Sequence, residues 1–281
     1  RGQAEPAARC LSRAESAASK LGDQRLVADS VRLQGLVDLT RGQFDRASRS
    51  FERALAMYQD IKDPVWVAAS WMNRGIADRL AGRLDESGLK VHRALEAFSA
   101  AECLWGEAEC LNELGEAARA RGDLEAAEDL YRQAMERNTS LGSGDLVFNQ
   151  INLGLVLSQR GRWQQALEAL TRGLETYSEQ GRQGFVGVTY GLLLPVIAAL
   201  GHWAEWDTYL GRAGTILEST GFVDVDAAAE VQRAAEYAAS AGQAERALAA
   251  FGLAVRQWRA LDREDEAAAV TTRMRAIRSG R

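Results

Sequence analysis

Two histidines, three cysteines and a few adjacent carboxylates are where any chemistry in this 281-residue chain would have to begin. His92 lies inside a stretch of helical pattern and His202 directly follows Gly201. Neither has a cysteine or carboxylate at the spacing of a metal-ligand set. Cys103 and Cys110 stand seven apart, which puts both on one face of a helix. With Cys10 they make an odd, sparse set that fits a reducing compartment and small buried residues better than a disulfide. The pair Asp85–Glu86 and the run "REDE" at 263–266 open helical segments, where negative charge meets the positive end of the helix dipole. That explains them better than an acid/base couple does. No glycine-rich phosphate loop with Lys and Ser/Thr occurs, nor a G-x-S-x-G nucleophile turn. The expectation is a non-enzymatic chain with no catalytic residue, metal or cofactor.

Charge narrows the partners. Lys and Arg total 34 against 39 Asp and Glu, a formal net charge of −5 without a basic stripe, so nucleic acid is not expected. Only Lys20, Lys62 and Lys90 are lysines. The Arg, Ala and Gly bias fits a GC-rich bacterial genome, and the sparse cysteines fit a cytoplasmic location. The most apolar run, "FVGVTYGLLLPVIAALG", has 17 residues and contains Pro195, short of the ~20 that cross a bilayer, so no membrane contact is expected. The chain opens on Arg1 without a charged-then-apolar leader and reads as a piece of something longer.

With little to catalyse, the elements themselves carry the information. The stretch "RGQFDRASRSFERALAMY" at 41–58 has a skeleton that recurs down the chain while its other letters change. Junction glycines fall at Gly2, Gly42, Gly82, Gly122, Gly161, Gly201 and Gly242, spaced 40, 40, 40, 39, 40 and 41. Seven residues earlier stand Gly35, Gly75, Gly115 and Gly154, then Leu194 and Ala235 as departures. Five residues later come Ala7, Ala47, Ser87, Ala127, Ala166, Trp206 and Ala247. At nine come Leu11, Phe51, Val91, Tyr131, Leu170, Leu210 and Phe251; at twelve, Ala14, Ala54, Ala94, Ala134, Gly173, Ala213 and Ala254. Those offsets share one helical face. The junction glycine is a helix stop that reaches positive φ without steric cost.

The skeleton resembles the tetratricopeptide repeat, whose pattern G-x6-G-[DQR]-[FLW]-x2-A-x3-[FY]-x2-A marks a helix–turn–helix unit. The 40-residue period is longer than the common 34-residue form and lacks its closing proline. It is similar to the long-helix versions in kinesin light chain, the Leu-Gly-Asn polarity adaptors, bacterial peptide-pheromone receptors and the sensor arms of signalling ATPases. The resemblance implies an all-α fold: a right-handed α-solenoid of stacked antiparallel helix pairs forming one domain over residues 1–281. Its units would be a half repeat at 1–22, repeats at 23–62, 63–102, 103–142, 143–181, 182–222 and 223–262, and a closing helix at 263–279.

It also implies a binding surface. In such arrays the first helix of each unit lines a concave groove. The positions carried over are Arg32 and Leu36; Asn73, Ile76 and Arg79; Glu109, Asn112, Glu113, Glu116 and Arg119; and Phe148, Asn152, Leu155 and Ser158. Asn73 and Asn152, in "MNRG" and "INLG", match the asparagines that grip a bound peptide's backbone. Acids in the third unit exclude the basic clamp of chaperone-tail receptors. Glu109, Glu113 and Glu116, flanked by Arg79 and Arg119, are read either as a preference for a basic residue in the bound segment or as a solvated acidic face. Trp71, Trp163 and Trp203 are expected in the core; Trp66 and Trp105 are open between core and contact.

The expected role is a module that binds a protein or peptide segment, or other domains of its own parent chain, as the interaction or sensor arm of a larger bacterial signalling or regulatory protein. A small-ligand or pheromone-type receptor and a structural or self-association arm are the alternatives. The fifth unit stands apart. Gly184, Gly187, Gly191 and Pro195 gather near one helix while Leu194 and Trp206 replace small packing residues, so a kink and an opened helix crossing are expected at 185–206.

Overall fold

The computed structural model describes residues 4–141 and 146–279, and every regular element among them is an α-helix. A lone helix α1 (Ala4–Leu21) comes first. Six hairpins follow: α2 (Gln24–Thr40) with α3 (Phe44–Asp60), α4 (Pro64–Leu80) with α5 (Leu84–Ala100), α6 (Leu104–Arg121) with α7 (Leu124–Leu141), α8 (Leu146–Gln159) with α9 (Trp163–Glu179), α10 (Gln183–Leu200) with α11 (Trp203–Thr220), and α12 (Val225–Ser240) with α13 (Ala244–Ala260). Helix α14 (Glu264–Arg278) closes the series.

Helix α3 shows why the sequence folds this way. Ala47, Phe51, Ala54, Leu55 and Tyr58 recur at three- and four-residue steps and are all buried, while the intervening Arg and Glu face solvent. The same offsets are buried in later hairpins, as with Val91 and Ala94 or Tyr131 and Ala134. The acids at Asp85–Glu86 and Glu264–Glu266 lie in the first turns of α5 and α14. Helix starts are also capped directly: the Asp23, Asp63 and Asp224 carboxylates accept from the amides of Leu26, Trp66 and Ala227.

Small residues set the distance between partner helices. A β-carbon built on Gly35 would stand 2.5 Å from the Phe51 ring, one on Gly75 2.5 Å from Val91, and one on Gly154 2.7 Å from Leu170. The junction glycines Gly42 to Gly242 all adopt positive φ, between 71° and 82°. A second series of left-handed turns, absent from the sequence reading, joins one hairpin to the next at Gly22, Lys62, Glu102, Gly181, Gly221 and Asp262. Three of those six are not glycine, so glycine spacing could not reveal the series.

Contacts divide the chain into two compact units, residues 1–146 and 147–281. In the first, α1 to α7 pack in chain order, and α4 also touches α6 directly. In the second, α10 is the central element, packed against α9, α11 and α12. Val186 through Ala198 are all buried. By length and composition α10 is apolar enough to cross a membrane, and it is the interior helix of its unit.

The helix runs unbroken through Pro195. Gly191, whose carbonyl that ring crowds, also lets α12 approach: a β-carbon there would stand 3.3 Å from Val231. Leu194 and Trp206, read as a loosening exchange, are both fully enclosed. The close approach to α11 moves to Gly187, where a β-carbon would meet Ile216 at 3.0 Å and Leu217 at 3.1 Å.

Candidate functional site

In the first unit, α2, α4 and α6 carry the row of expected contact residues. Leu36 packs beside Phe51 and Ala77, and Ile76 beside the cluster of Met72, Val91 and Leu114, so both serve the core as well as the row. The Arg32 guanidinium lies 4.3 Å from the centre of the Trp66 ring, and its Nε is buried without a hydrogen-bond partner. Trp66, open between two roles, thus belongs to the row and also stacks on Tyr58 at 6.0 Å. Asn73 is only 6% exposed, and its amide makes no side-chain hydrogen bond among the described residues. Seven residues after Trp66 on α4, Asn73 lies about 10 Å further along the same face.

The centre of the row is an ion cluster. Arg79 on α4 donates from Nε and one terminal nitrogen to Glu113 Oε2 of α6 at 3.0 and 2.8 Å. Arg119 donates to Glu116 Oε2 at 3.0 Å, and the Tyr131 hydroxyl of α7 donates to Glu116 Oε1 at 2.8 Å. Burial pushes the Glu113 carboxyl above its ordinary range, more strongly than Arg79 pulls it down. At Glu116 burial also pushes up, and Arg119 and Arg79 outweigh it, leaving this carboxyl below its ordinary range. Neither reading of an open acidic face describes these two groups: they are held by arginines inside the unit. Nearby Asn112 is buried and Glu109 half-buried. Tyr131 was legible only as a packing residue; its register gave no sign that its hydroxyl reaches across to α6.

In the second unit the carried-over residues do not form a comparable row. Phe148 is 47% exposed, but Leu155 and Ser158 are enclosed and Asn152 is buried. The cause is a polar bridge from α8 to α12. Gln159 donates to Glu230 Oε1 at 3.0 Å, and Arg233 donates to the Ser158 hydroxyl at 2.7 Å while pairing with Glu230. Arg233 also lies about 6 Å from the Trp163 and Tyr237 rings. Helices α8 and α12 therefore meet directly, 71 and 75 residues apart in sequence at these contacts. Burial pushes the Glu230 carboxyl up. Sequence spacing of one repeat could not indicate a contact that skips a repeat.

The remaining chemistry-bearing residues are structural in place. Cys103 and Cys110 are buried in the cluster with Phe98 and Leu114, and burial drives the Cys110 thiol well above its ordinary range. His92 is exposed, and His202 precedes the first turn of α11. Among the described residues no group of three His, Cys, Asp or Glu side chains is placed to hold a metal. Trp105 is 41% exposed against Phe98. Trp71, expected in the core, is half-buried, as are Trp163 and Trp203.

Comparison with known proteins adds a family match over part of the chain and a shared fold. A family model described as tetratricopeptide repeat matches residues 108–179. Among solved structures, BtubC (BKLC) from P. vanneervenii superposes with a TM-score of 0.66 at 18% identity, covering 79% of this chain and 93% of that one. A Kinesin light chain repeat protein of Podosopora anserina, described as TPR-like, gives 0.52 at 18% identity over 70% of this chain and 97% of that one. Residues 108–179 thus carry the tetratricopeptide-repeat signature, and the described helices share the fold of these repeat structures. A Rap protein complexed with Competence and Sporulation Factor superposes at 0.65, with 14% identity over 96% of this chain and 79% of that one. These likenesses are of fold. No curated protein matches the sequence. Within the repeat frame, the site is a row on the first helices of successive hairpins, with an unengaged amide and a stacked arginine at one end and a closed ion cluster at its centre.

Proposed function

We propose that the first unit binds an extended protein or peptide segment along the row from Arg32 through Asn73 to Arg79. The observation that carries this reading is Asn73, a buried side-chain amide with no internal hydrogen bond among the described residues. Its polar atoms are not among those sealed from solvent, so the amide is open to a partner from outside the fold. An amide both donates and accepts, so it matches one peptide unit of an extended backbone whatever that segment's side chains. Arg32, stacked against Trp66, supplies a cation further along. The repeat fold supports the reading, since a Rap protein of similar fold was solved in complex with Competence and Sporulation Factor.

On this reading the chain is a non-catalytic interaction or sensor arm of a larger bacterial regulatory protein, working in the cytoplasm. The arginine-rich, lysine-poor composition supports the bacterial assignment. The test is to pan a display library of random linear peptides against the chain. Selected peptides should lose at least about tenfold in affinity with Asn73→Ala. They should lose little with Leu89→Arg, a change at an exposed position outside the row. Failure to enrich any peptide, or equal binding by Asn73→Ala, overturns the reading.

A further inference from the structure

A second surface, on another side of α4 from the row, departs from its sister repeats in two matched ways. Seven residues after the junction glycine the other repeats carry Arg49, Asp129, Glu168, Thr208 and Ala249; the second repeat carries Leu89, which is 70% exposed. At the register of Arg74 the later repeats carry Leu114, Leu153, Leu193 and Ala234, all buried. Here an apolar residue has moved out and a cation has moved in. Between them lies a cleft of about 340 Å³ lined by Trp71, Arg74, Glu86, Leu89, Lys90 and Arg93.

Trp71 is its centre. The guanidiniums of Arg74 and Arg93 each lie 5.1 Å from the Trp71 ring centroid. Arg74 reaches the exposed Glu52 at 3.2 Å, and its Nε is buried without a hydrogen-bond partner. Lys90 pairs with Asp78. Arg93 has no carboxylate partner among the described residues. Glu86 is the one acid in the lining, exposed at the rim. The floor is therefore an aromatic ring and an exposed leucine, and Arg93, stacked on that ring, is the cation there without a carboxylate partner among the described residues. An exposed apolar group beside a free cation is complementary to an apolar side chain with a carboxylate next to it.

We propose that this cleft receives an acidic, apolar-anchored segment of a partner protein, with a Leu-, Ile- or Phe-type side chain on the Trp71–Leu89 floor and a carboxylate of the same segment at Arg93. The surface is separate from the Asn73 row, so the two readings stand or fall independently.

The probe is a fluorescein-labelled peptide alternating Leu and Glu, titrated with the whole chain and read by anisotropy. Peptides alternating Leu with Lys and Ser with Glu are the comparators. Saturable binding of the Leu–Glu peptide alone is expected. Leu89→Arg, which installs the residue found at this register in the first repeat, and Arg93→Glu should each weaken it at least about tenfold with circular dichroism unchanged. Asn73→Ala should leave it intact. No saturation below ~1 mM, the weak end of specific recognition, overturns the proposal. So does equal binding of the Leu–Lys peptide, indifference to both cleft variants, or loss with Asn73→Ala alone.

Discussion

At the residue scale the repeat rests on positions where the absence or presence of a single β-carbon decides the packing. Gly75 stands against the Val91 side chain and the Ser87 carbonyl, so the methyl of Gly75→Ala would push into Val91 and against the backbone of α5. It should cost about 1–3 kcal/mol, read as a lower urea midpoint at unchanged slope. The opposite change is expected at the second turn series. Lys62, Glu102 and Asp262 hold φ of 56°, 51° and 60°, a region that L-residues enter at a cost. Glu102→Gly should stabilise the chain by up to about 1 kcal/mol in thermal unfolding. Glu116 gives a pH signature. Its folded pKa is depressed, so its contribution is present above the ordinary value of 4.5 and is lost as pH falls below it. Glu116→Gln keeps an acceptor for Tyr131 and should flatten the acid limb of a stability–pH curve.

At the element scale two helices show how context overrides local preference. Helix α10 contains three glycines and a proline, a composition that isolated would scarcely hold a helix, and read along the chain it pointed to a kink and a gap. In the unit it is unbroken, and Gly187 and Gly191 let α11 and α12 approach to distances at which a side chain would have to push its neighbours back by a few tenths of an ångström. Above it, α8 and α12 are tied by a buried charge. Replacing Arg233 with Ala would leave Glu230 uncompensated and should cost about 3–5 kcal/mol, with faster amide exchange along α10. Replacing Glu230 and Arg233 together by Leu and Met should recover most of that loss, because it removes the buried charge with its partner.

At the scale of the whole molecule, hairpin is joined to hairpin by ion pairs at a nearly constant sequence separation. Arg41–Glu5, Arg83–Asp45 and Arg121–Asp85 recur in the first unit, and Arg246–Asp207 and Arg256–Glu218 in the second. Each pair has an exposed member, so each is worth about 0–1 kcal/mol and is screened by salt. Molar salt is therefore expected to shift the thermal midpoint by only a few degrees, whereas core glycine substitutions shift it more. Register in such a chain is set by nearest-neighbour packing, with the pairs as a minor supplement.

The amino-acid order by itself determined the hairpin, its period, the junction turns and the buried face, because those depend on residues within one repeat and on the helical step. It also placed Arg32, Asn73, Arg79, Glu113 and Glu116 on the first helices of their units. Only the tertiary structure decided what those side chains do: Glu113 and Glu116 closed on arginines, Asn73 without a side-chain hydrogen bond among the described residues, Leu155 and Ser158 enclosed, and Trp71 drawn to a cleft. These outcomes depend on pairings between helices one or two repeats apart. Their side chains meet through packing distances that no spacing along the chain records.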